Sequence, residues 1–84
     1  MIGNKIEIVF GIFRVVFEET IIASLYNPNV YYENKIYEVP LILESWQIEK
    51  VAYHLDKIEE KELPFDLFCK VVSGACLYAM KGSM

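Results

Sequence analysis

Apolar side chains outnumber those that a chain this short can bury. The sequence has 84 residues, and 55% of them are hydrophobic when tyrosine and cysteine are counted. From the scaling of surface with size, the folded chain should expose about 5,200 Å² and the unfolded chain about 14,000 Å², so about 64% of the surface can be buried. A solitary copy is therefore expected to leave apolar side chains in water, and an interface is the simplest way to cover them. We predict an oligomer or a subunit of a larger complex, whose partner is the chain itself, another protein, or both.

The net charge of the chain limits the classes of molecule that it is expected to bind. It has 12 acidic and 8 basic side chains, and its net charge is -4 at pH 7. This sign argues against nucleic acid and anionic lipid as partners of the whole molecule. Secretion is not expected, because no basic region precedes an apolar run with a small-residue cleavage site. Membrane spanning is not expected either, because the most apolar segment is interrupted by Glu7, Arg14, Glu18 and Glu19. We expect a cytoplasmic protein, and the abundance of Lys and Glu over Gln and Thr is typical of a thermophile.

Two cysteines, Cys69 and Cys76, fall within one predicted helix. Their separation along the helix axis is about 10 Å, which is too far for a disulfide between them. We expect lone buried thiols that pack as small hydrophobic groups, in a reducing compartment. No metal or other cofactor is predicted, because spaced His or Cys ligands do not accompany them.

The first part of the chain has the pattern of strands. Residues 5–10 alternate polar and apolar side chains before Gly11, which predicts a half-buried strand. Residues 12–26 fit both a helical period and a strand rich in β-branched residues, and we favour strands while helix remains the alternative. The tripeptide Asn27-Pro28-Asn29 is expected to end the preceding element.

A short hairpin is predicted next. Residues 30–32 and 36–39 flank Glu33-Asn34-Lys35, where Asn34 is the expected residue with positive φ. Pro40 limits the second strand of this hairpin to an edge or to its own end.

Two helices complete the predicted fold. Ser45 is the expected N-cap of a helix over residues 45–61, whose apolar positions follow the 3.6-residue period. Pro64 suits the first turn of a second helix over residues 64–80. We therefore predict one α+β domain over residues 1–84, in which an antiparallel β part at about 5–43 precedes an antiparallel pair of helices.

The second helix is apolar around most of its girth, as expected for a helix covered on more than one side. It is the predicted contact surface, unless the residues at its centre face the chain's own sheet. Those residues are Phe68, Val72, Ala75 and Ala79. Tyrosines of the hairpin are further candidate interface anchors, with ordinary cross-strand packing as the alternative. They are Tyr31, Tyr32 and Tyr37.

Enzymatic chemistry is not predicted. The single histidine, His54, makes a catalytic triad improbable, and adjacent acids such as Glu59 and Glu60 diverge on a helix rather than share a proton. A basic stripe does occur at helical spacing, formed by Lys50, His54, Lys57 and Lys61. We interpret it as a solvated helix face; the alternative is contact with phosphates or an acidic partner, as in a nucleic-acid-binding regulator.

One segment resembles a known family. The residues Tyr37-Glu-Val-Pro-Leu-Ile-Leu-Glu44 are similar to the passage from β-domain to helices in the GINS replication-complex subunits, and Leu63-Pro-Phe-Asp-Leu-Phe-Cys-Lys-Val-Val72 is similar to the start of their following helix. The resemblance implies a non-catalytic scaffold that bridges a helicase and other proteins of DNA replication. Because the sequence is far shorter than those subunits, it implies a minimal or truncated subunit, or a fragment. A different alternative is a mobile-element regulator or inhibitor that binds one host protein.

Overall fold

The computed structural model describes residues 3–81, which form a sheet followed by two helices. This is the predicted α+β order, and the two helices contact each other. None of the helices in this range is long and apolar enough to cross a membrane. The elements are β1 (Lys5–Phe10), β2 (Phe13–Glu19), β3 (Leu25–Tyr32), β4 (Lys35–Glu38), β5 (Leu43–Glu44), α1 (Ser45–Asp56) and α2 (Phe65–Lys81).

All strand pairs are antiparallel, in the order β1-β2-β3-β4. The short β5 pairs with the first two residues of β3, Leu25 and Tyr26. Residues 13–19 and 25–32 are strands, so the expectation of strands in the ambiguous segment is confirmed.

The core lies between one face of the sheet and the helices. Because side chains alternate along a strand, Phe13, Val15 and Phe17 of β2 all point to this face and are buried. Phe68 of α2 stacks on two rings of the sheet, with ring centroids 4.8 Å from Phe10 and 4.4 Å from Phe13. Through this aromatic stack, helix α2 packs directly against the β1–β2 hairpin.

The prediction that Asn27-Pro28-Asn29 ends a strand is wrong, because β3 runs through all three residues. The chain reverses earlier, at residues 20–24, where Ser24 has a φ of 71° and the Thr20 N–H donates to the Leu25 carbonyl at 2.7 Å.

The β3–β4 hairpin is found where the sequence predicts it, with one correction. The residue with positive φ is Glu33, at 53°, and not Asn34. The primed turns that suit a two-residue hairpin loop require positive φ at the first loop position, which Glu33 occupies. β4 is an edge strand that ends at Glu38, before Pro40, as expected.

Helix α1 begins at Ser45, as predicted, but its N-cap residue and its end differ from the prediction. Its N-cap is Glu44 rather than Ser45, and the Gln47 side chain accepts a hydrogen bond from the Glu44 N–H at 2.8 Å. It ends at Asp56 rather than at residue 61, because Lys57 and Ile58 close tight turns through their N–H groups and Ile58 packs against the core. α2 covers residues 65–81, within one residue of the prediction at each end.

After α1 the chain crosses to the β1–β2 turn. A Cβ atom on Gly11, whose φ is +59°, would lie 2.9 Å from the Lys61 carbonyl oxygen. Only glycine permits so close an approach in this backbone conformation.

The residues predicted as the centre of a contact surface lie in the chain's own hydrophobic core. Phe68, Val72, Ala75 and Ala79 are all buried in the hydrophobic core. These side chains form part of the core, so they are not available to a partner and α2 does not present them as a contact surface.

The described chain nevertheless exposes large apolar side chains, as its composition predicts. Its surface of 5632 Å² exceeds the value of about 5,200 Å² expected for its size, in keeping with a flat shape of 34 × 32 × 17 Å. The most exposed of these side chains include Val9, Ile12, Ile21, Ile22, Ile36, Tyr53, Leu77 and Tyr78.

Candidate functional site

An open groove of 740 Å³ lies on the outer side of the helix layer. We call it the aromatic groove. Its lining residues are Trp46, Glu49, Lys50, Tyr53, His54, Lys57 and Tyr78.

Helix α1 supplies most of this lining. Its buried residues Ile48, Val51 and Leu55 face the core, and the groove residues recur at intervals of three and four on the opposite side, as one helix face requires. Tyr78 reaches the same groove from α2. The groove therefore exists only because the two helices pack against each other.

Three aromatic side chains of the groove are open to solvent. The exposed fractions are 41% for Trp46, 66% for Tyr53 and 64% for Tyr78. The Trp46 indole N–H donates to the Glu44 carboxylate at 3.0 Å, which fixes one edge of the ring. Aromatic side chains with a polar tip are frequent anchors of protein interfaces, because they bury a large area at a small cost in conformational entropy.

Cationic side chains lie over these rings. The Lys57 Nζ atom is 4.6 Å from the centroid of the Tyr53 ring, and the Lys50 Nζ atom is 5.7 Å from that of Trp46. The His54 and Tyr78 rings are stacked, with centroids 5.1 Å apart. The contact between the Lys57 ammonium and the Tyr53 ring is worth about 0.5–1 kcal/mol at an exposed site, so a partner can displace this ammonium group at low cost.

Comparisons with known proteins give no relative on which a function could be based. No protein-family model, no curated protein and no solved structure matches this chain.

The four basic residues that were predicted to form one stripe lie in two different places in the structure. It brings Lys50, His54 and Lys57 into the aromatic groove. Lys61 lies elsewhere, beyond the end of α1, with its Nζ atom 4.2 Å from the centroid of the Phe10 ring. The predicted stripe of four residues is thus shortened to three, because the helix ends before its last member.

Sequence reasoning missed the aromatic members of the groove. Trp46 and Tyr53 share the helical spacing of Lys50 and Lys57, and this spacing was the available signal. Tyr78 carried no such signal, since only the contact between the helices brings it beside His54.

The three candidate tyrosines lie in three environments. Tyr31 is on the open face of the sheet, 5.2 Å from the Arg14 guanidinium, and its hydroxyl donates to Glu18 at 3.2 Å. Burial, followed by the charge of Glu18, raises the pKa of Tyr31. Tyr32 packs on the core side, with its ring centroid 5.3 Å from that of Phe13. Tyr31 and Tyr32 therefore take part in packing within the chain.

Tyr37 remains half-exposed at the edge strand. It lines a second depression, of 640 Å³, between β4 and α2, together with Phe65, Cys69 and Leu77. Polar residues of the same depression are Asp66, Lys70 and Ser73.

Of the two cysteines, Cys69 lines the second depression, beside Asp66 and Ser73. Cys69 and Cys76 are buried free thiols, as predicted. Burial raises the pKa of Cys69, with a smaller contribution from the Asp66 charge, and raises that of Cys76 to about 12. Among residues 3–81, no group of three His, Cys, Asp or Glu side chains is placed to hold a metal ion.

Proposed function

We propose that this chain is a non-enzymatic protein-interaction subunit that binds a partner protein in the aromatic groove. The observation that carries the proposal is the exposure of Trp46, Tyr53 and Tyr78 side by side in one groove. Clustered tryptophan and tyrosine at the centre of a contact supply most of its binding energy in many interfaces.

The charges of the groove favour an acidic partner. Lys50 and Lys57 line it together with His54, and Glu49 is the one carboxylate in the lining, although the molecule as a whole has a net charge of -4. A basic groove on an acidic protein steers oppositely charged segments towards itself. The occupant that fits is an acidic segment that inserts an aromatic or aliphatic side chain among the exposed rings.

The resemblance to GINS subunits adds a setting to this proposal, namely a scaffold in DNA replication. Residues 37–44, which carry the resemblance, lead from β4 through β5 into α1. A mobile-element regulator that binds one host protein would use the same groove, and the two versions differ only in the identity of the target.

The second candidate function is binding of single-stranded nucleic acid. Aromatic rings beside lysines are the elements of a stacking platform for unpaired bases, and the groove contains both. The two lysines of the groove neutralise few phosphates, however, and the one arginine, Arg14, bonds to Glu7 on the open face of the sheet. A protein partner therefore fits the groove better.

Selection from a random peptide display library tests the proposal. We expect acidic peptides that contain an aromatic residue, and their binding should change the fluorescence of Trp46, the single tryptophan of the chain. Lys57→Glu should weaken binding at least several-fold, whereas Lys70→Glu, outside the groove, should leave it unchanged. Enrichment of peptides without acidic residues, or salt-sensitive binding of oligothymidylate in place of peptide, would refute the proposal.

A further inference from the structure

Strand β1 has one side without a backbone partner. The Glu19 N–H donates to the Asn4 carbonyl at 2.9 Å, so the even-numbered residues of β1 direct their polar groups to β2. The odd-numbered residues, Lys5, Glu7 and Val9, direct theirs away from the sheet. Within residues 3–81 no strand pairs on that side.

The helices leave this edge partly uncovered. Ile6 and Ile8 point to the core side of the sheet, yet they are only partly buried. The opposite edge is less open to pairing, because β4 has four residues and ends before Pro40. β1, with six residues, is therefore the longer edge on which another strand can be added.

We propose that β1 pairs antiparallel with β1 of a second copy, about a two-fold axis at Ile6. The two sheets then form one continuous sheet, and the interface is isologous. This inference is independent of the proposed use of the aromatic groove. Because the axis stands perpendicular to the sheet, both grooves lie on the same face of the dimer.

Charge fixes the register of this pairing. In an antiparallel pair, side chains that face each other lie on the same side of the sheet. If both helix layers are to lie on one side of the combined sheet, some residue of β1 must therefore face its own copy, and the two-fold axis lies midway between those two copies. An axis at Ile6 places Lys5 opposite Glu7 of the second copy, and it does so twice. An axis at Glu7 would set the two Glu7 carboxylates against each other, and one at Ile8 would set Glu7 against Val9. Opposite charges stabilise directly facing pairs and like charges destabilise them.

The backbone and the buried face agree with this register. Lys5 and Glu7 are residues whose N–H and C=O groups point outward, so their pairing is of the hydrogen-bonded kind. On the helix side, Ile6 meets Ile6 of the second copy and becomes more deeply buried. On the open face, Arg14 already bonds to Glu7 at 3.3 Å, so each Glu7 carboxylate lies between two cations in the dimer.

Charge exchange tests the pairing. By light scattering at micromolar concentration, the unmodified chain should be a dimer, while Lys5→Glu and Glu7→Lys should each be a folded monomer by circular dichroism. An equimolar mixture of the two variants should form a heterodimer, and Lys5→Glu combined with Glu7→Lys in one chain should restore the homodimer. Lys35→Glu, on the opposite edge, is the matched control and should remain dimeric. A monomeric unmodified chain, or a double variant that stays monomeric, would overturn the proposal.

Cysteine cross-linking tests the register. Facing residues at a non-hydrogen-bonded position are close enough for a disulfide, so Ile6→Cys should give a covalent dimer under mild oxidation. Ile8→Cys should not, because it faces Asn4 of the second copy. The native thiols are buried and do not compete. Cross-linking of Ile8→Cys in place of Ile6→Cys would overturn the axis at Ile6.

Discussion

The side-chain amide of Asn27 takes the place of the backbone N–H that Pro28 lacks. Val39 donates its N–H to the Pro28 carbonyl at 3.0 Å, but proline has no N–H to return. The Asn27 Nδ2 atom donates instead, at 2.8 Å to the Val39 carbonyl and at 3.0 Å to the Leu41 carbonyl. Because these acceptors are satisfied, a proline is tolerated within β3.

Asn27→Ala should therefore lower the free energy of unfolding by about 1–3 kcal/mol, the usual cost of leaving partly buried polar groups unpaired. The same change should cost less in a Pro28→Val background, because a residue with an N–H at position 28 can donate to the Val39 carbonyl. Urea denaturation of the four chains in this double-mutant cycle measures the coupling. Equal losses in both backgrounds would contradict the replacement of the missing donor by Asn27.

Asn27 and Pro28 also show why part of the fold could not be predicted from the sequence. Local rules predict that a strand ends at Asn-Pro-Asn. The same kind of rule was right about Pro40, because the edge strand β4 ends at Glu38, shortly before this proline. At Pro28 the deciding partner is Val39, which is distant in sequence, so no local pattern reveals it. Alternation in β1 and the 3.6-residue period of the helices are local properties, and they predicted β1 and α2 to within one residue at each end and the end of α1 to within five.

Only the part of the candidate site that lies along helix α1 could be predicted from the sequence. The spacing of Lys50, His54 and Lys57 placed them on one face, and they do share a groove. The same reasoning could not tell which apolar face of α2 meets the sheet, because Phe68 and Leu67 both lie on apolar ridges. The structure buries Phe68 and exposes Leu67.

Val72→Glu should unfold the chain rather than dissociate an assembly. Val72 is fully buried in the core, and the described core offers no cation with which an introduced carboxylate would pair. Far-UV circular dichroism should show loss of helix at neutral pH. Lys70→Glu, on the exposed side of the same helix, should keep the native spectrum. A native spectrum for Val72→Glu with a reduced molecular mass would instead place Val72 at an interface.

Glu19 should make stability depend on pH. The backbone N–H groups of Ser24 and Asn4 donate to its carboxylate, at 2.6 Å and 2.9 Å, and they lower its pKa. A group whose pKa is lowered by folding stabilises the native state above its unfolded-state pKa, about 4.3, and this contribution is lost as the pH falls through the folded-state value.

Glu19→Gln should accordingly lower the melting temperature at neutral pH, and the difference from the unmodified chain should shrink at about pH 3. Glu59→Gln is the control, since Glu59 is an exposed carboxylate of the segment between the helices, and it should show no such difference. A deficit of Glu19→Gln that is equal at both values of pH would assign the effect to packing rather than to charge.

The two thiols should be unreactive in the native state and fully reactive after unfolding. Only the thiolate attacks a disulfide reagent, and a pKa raised to about 12 leaves about one Cys76 thiol in ten thousand ionised at about pH 8. With Ellman's reagent we expect slow labelling in buffer and rapid labelling of both cysteines in guanidinium. In Cys76→Ser the remaining Cys69, 7% exposed against 0% for Cys76, should react faster than Cys76 does in Cys69→Ser. Rapid native labelling of Cys76 would show that α2 opens from the sheet far more often than its buried contacts with Phe10 and Phe13 imply.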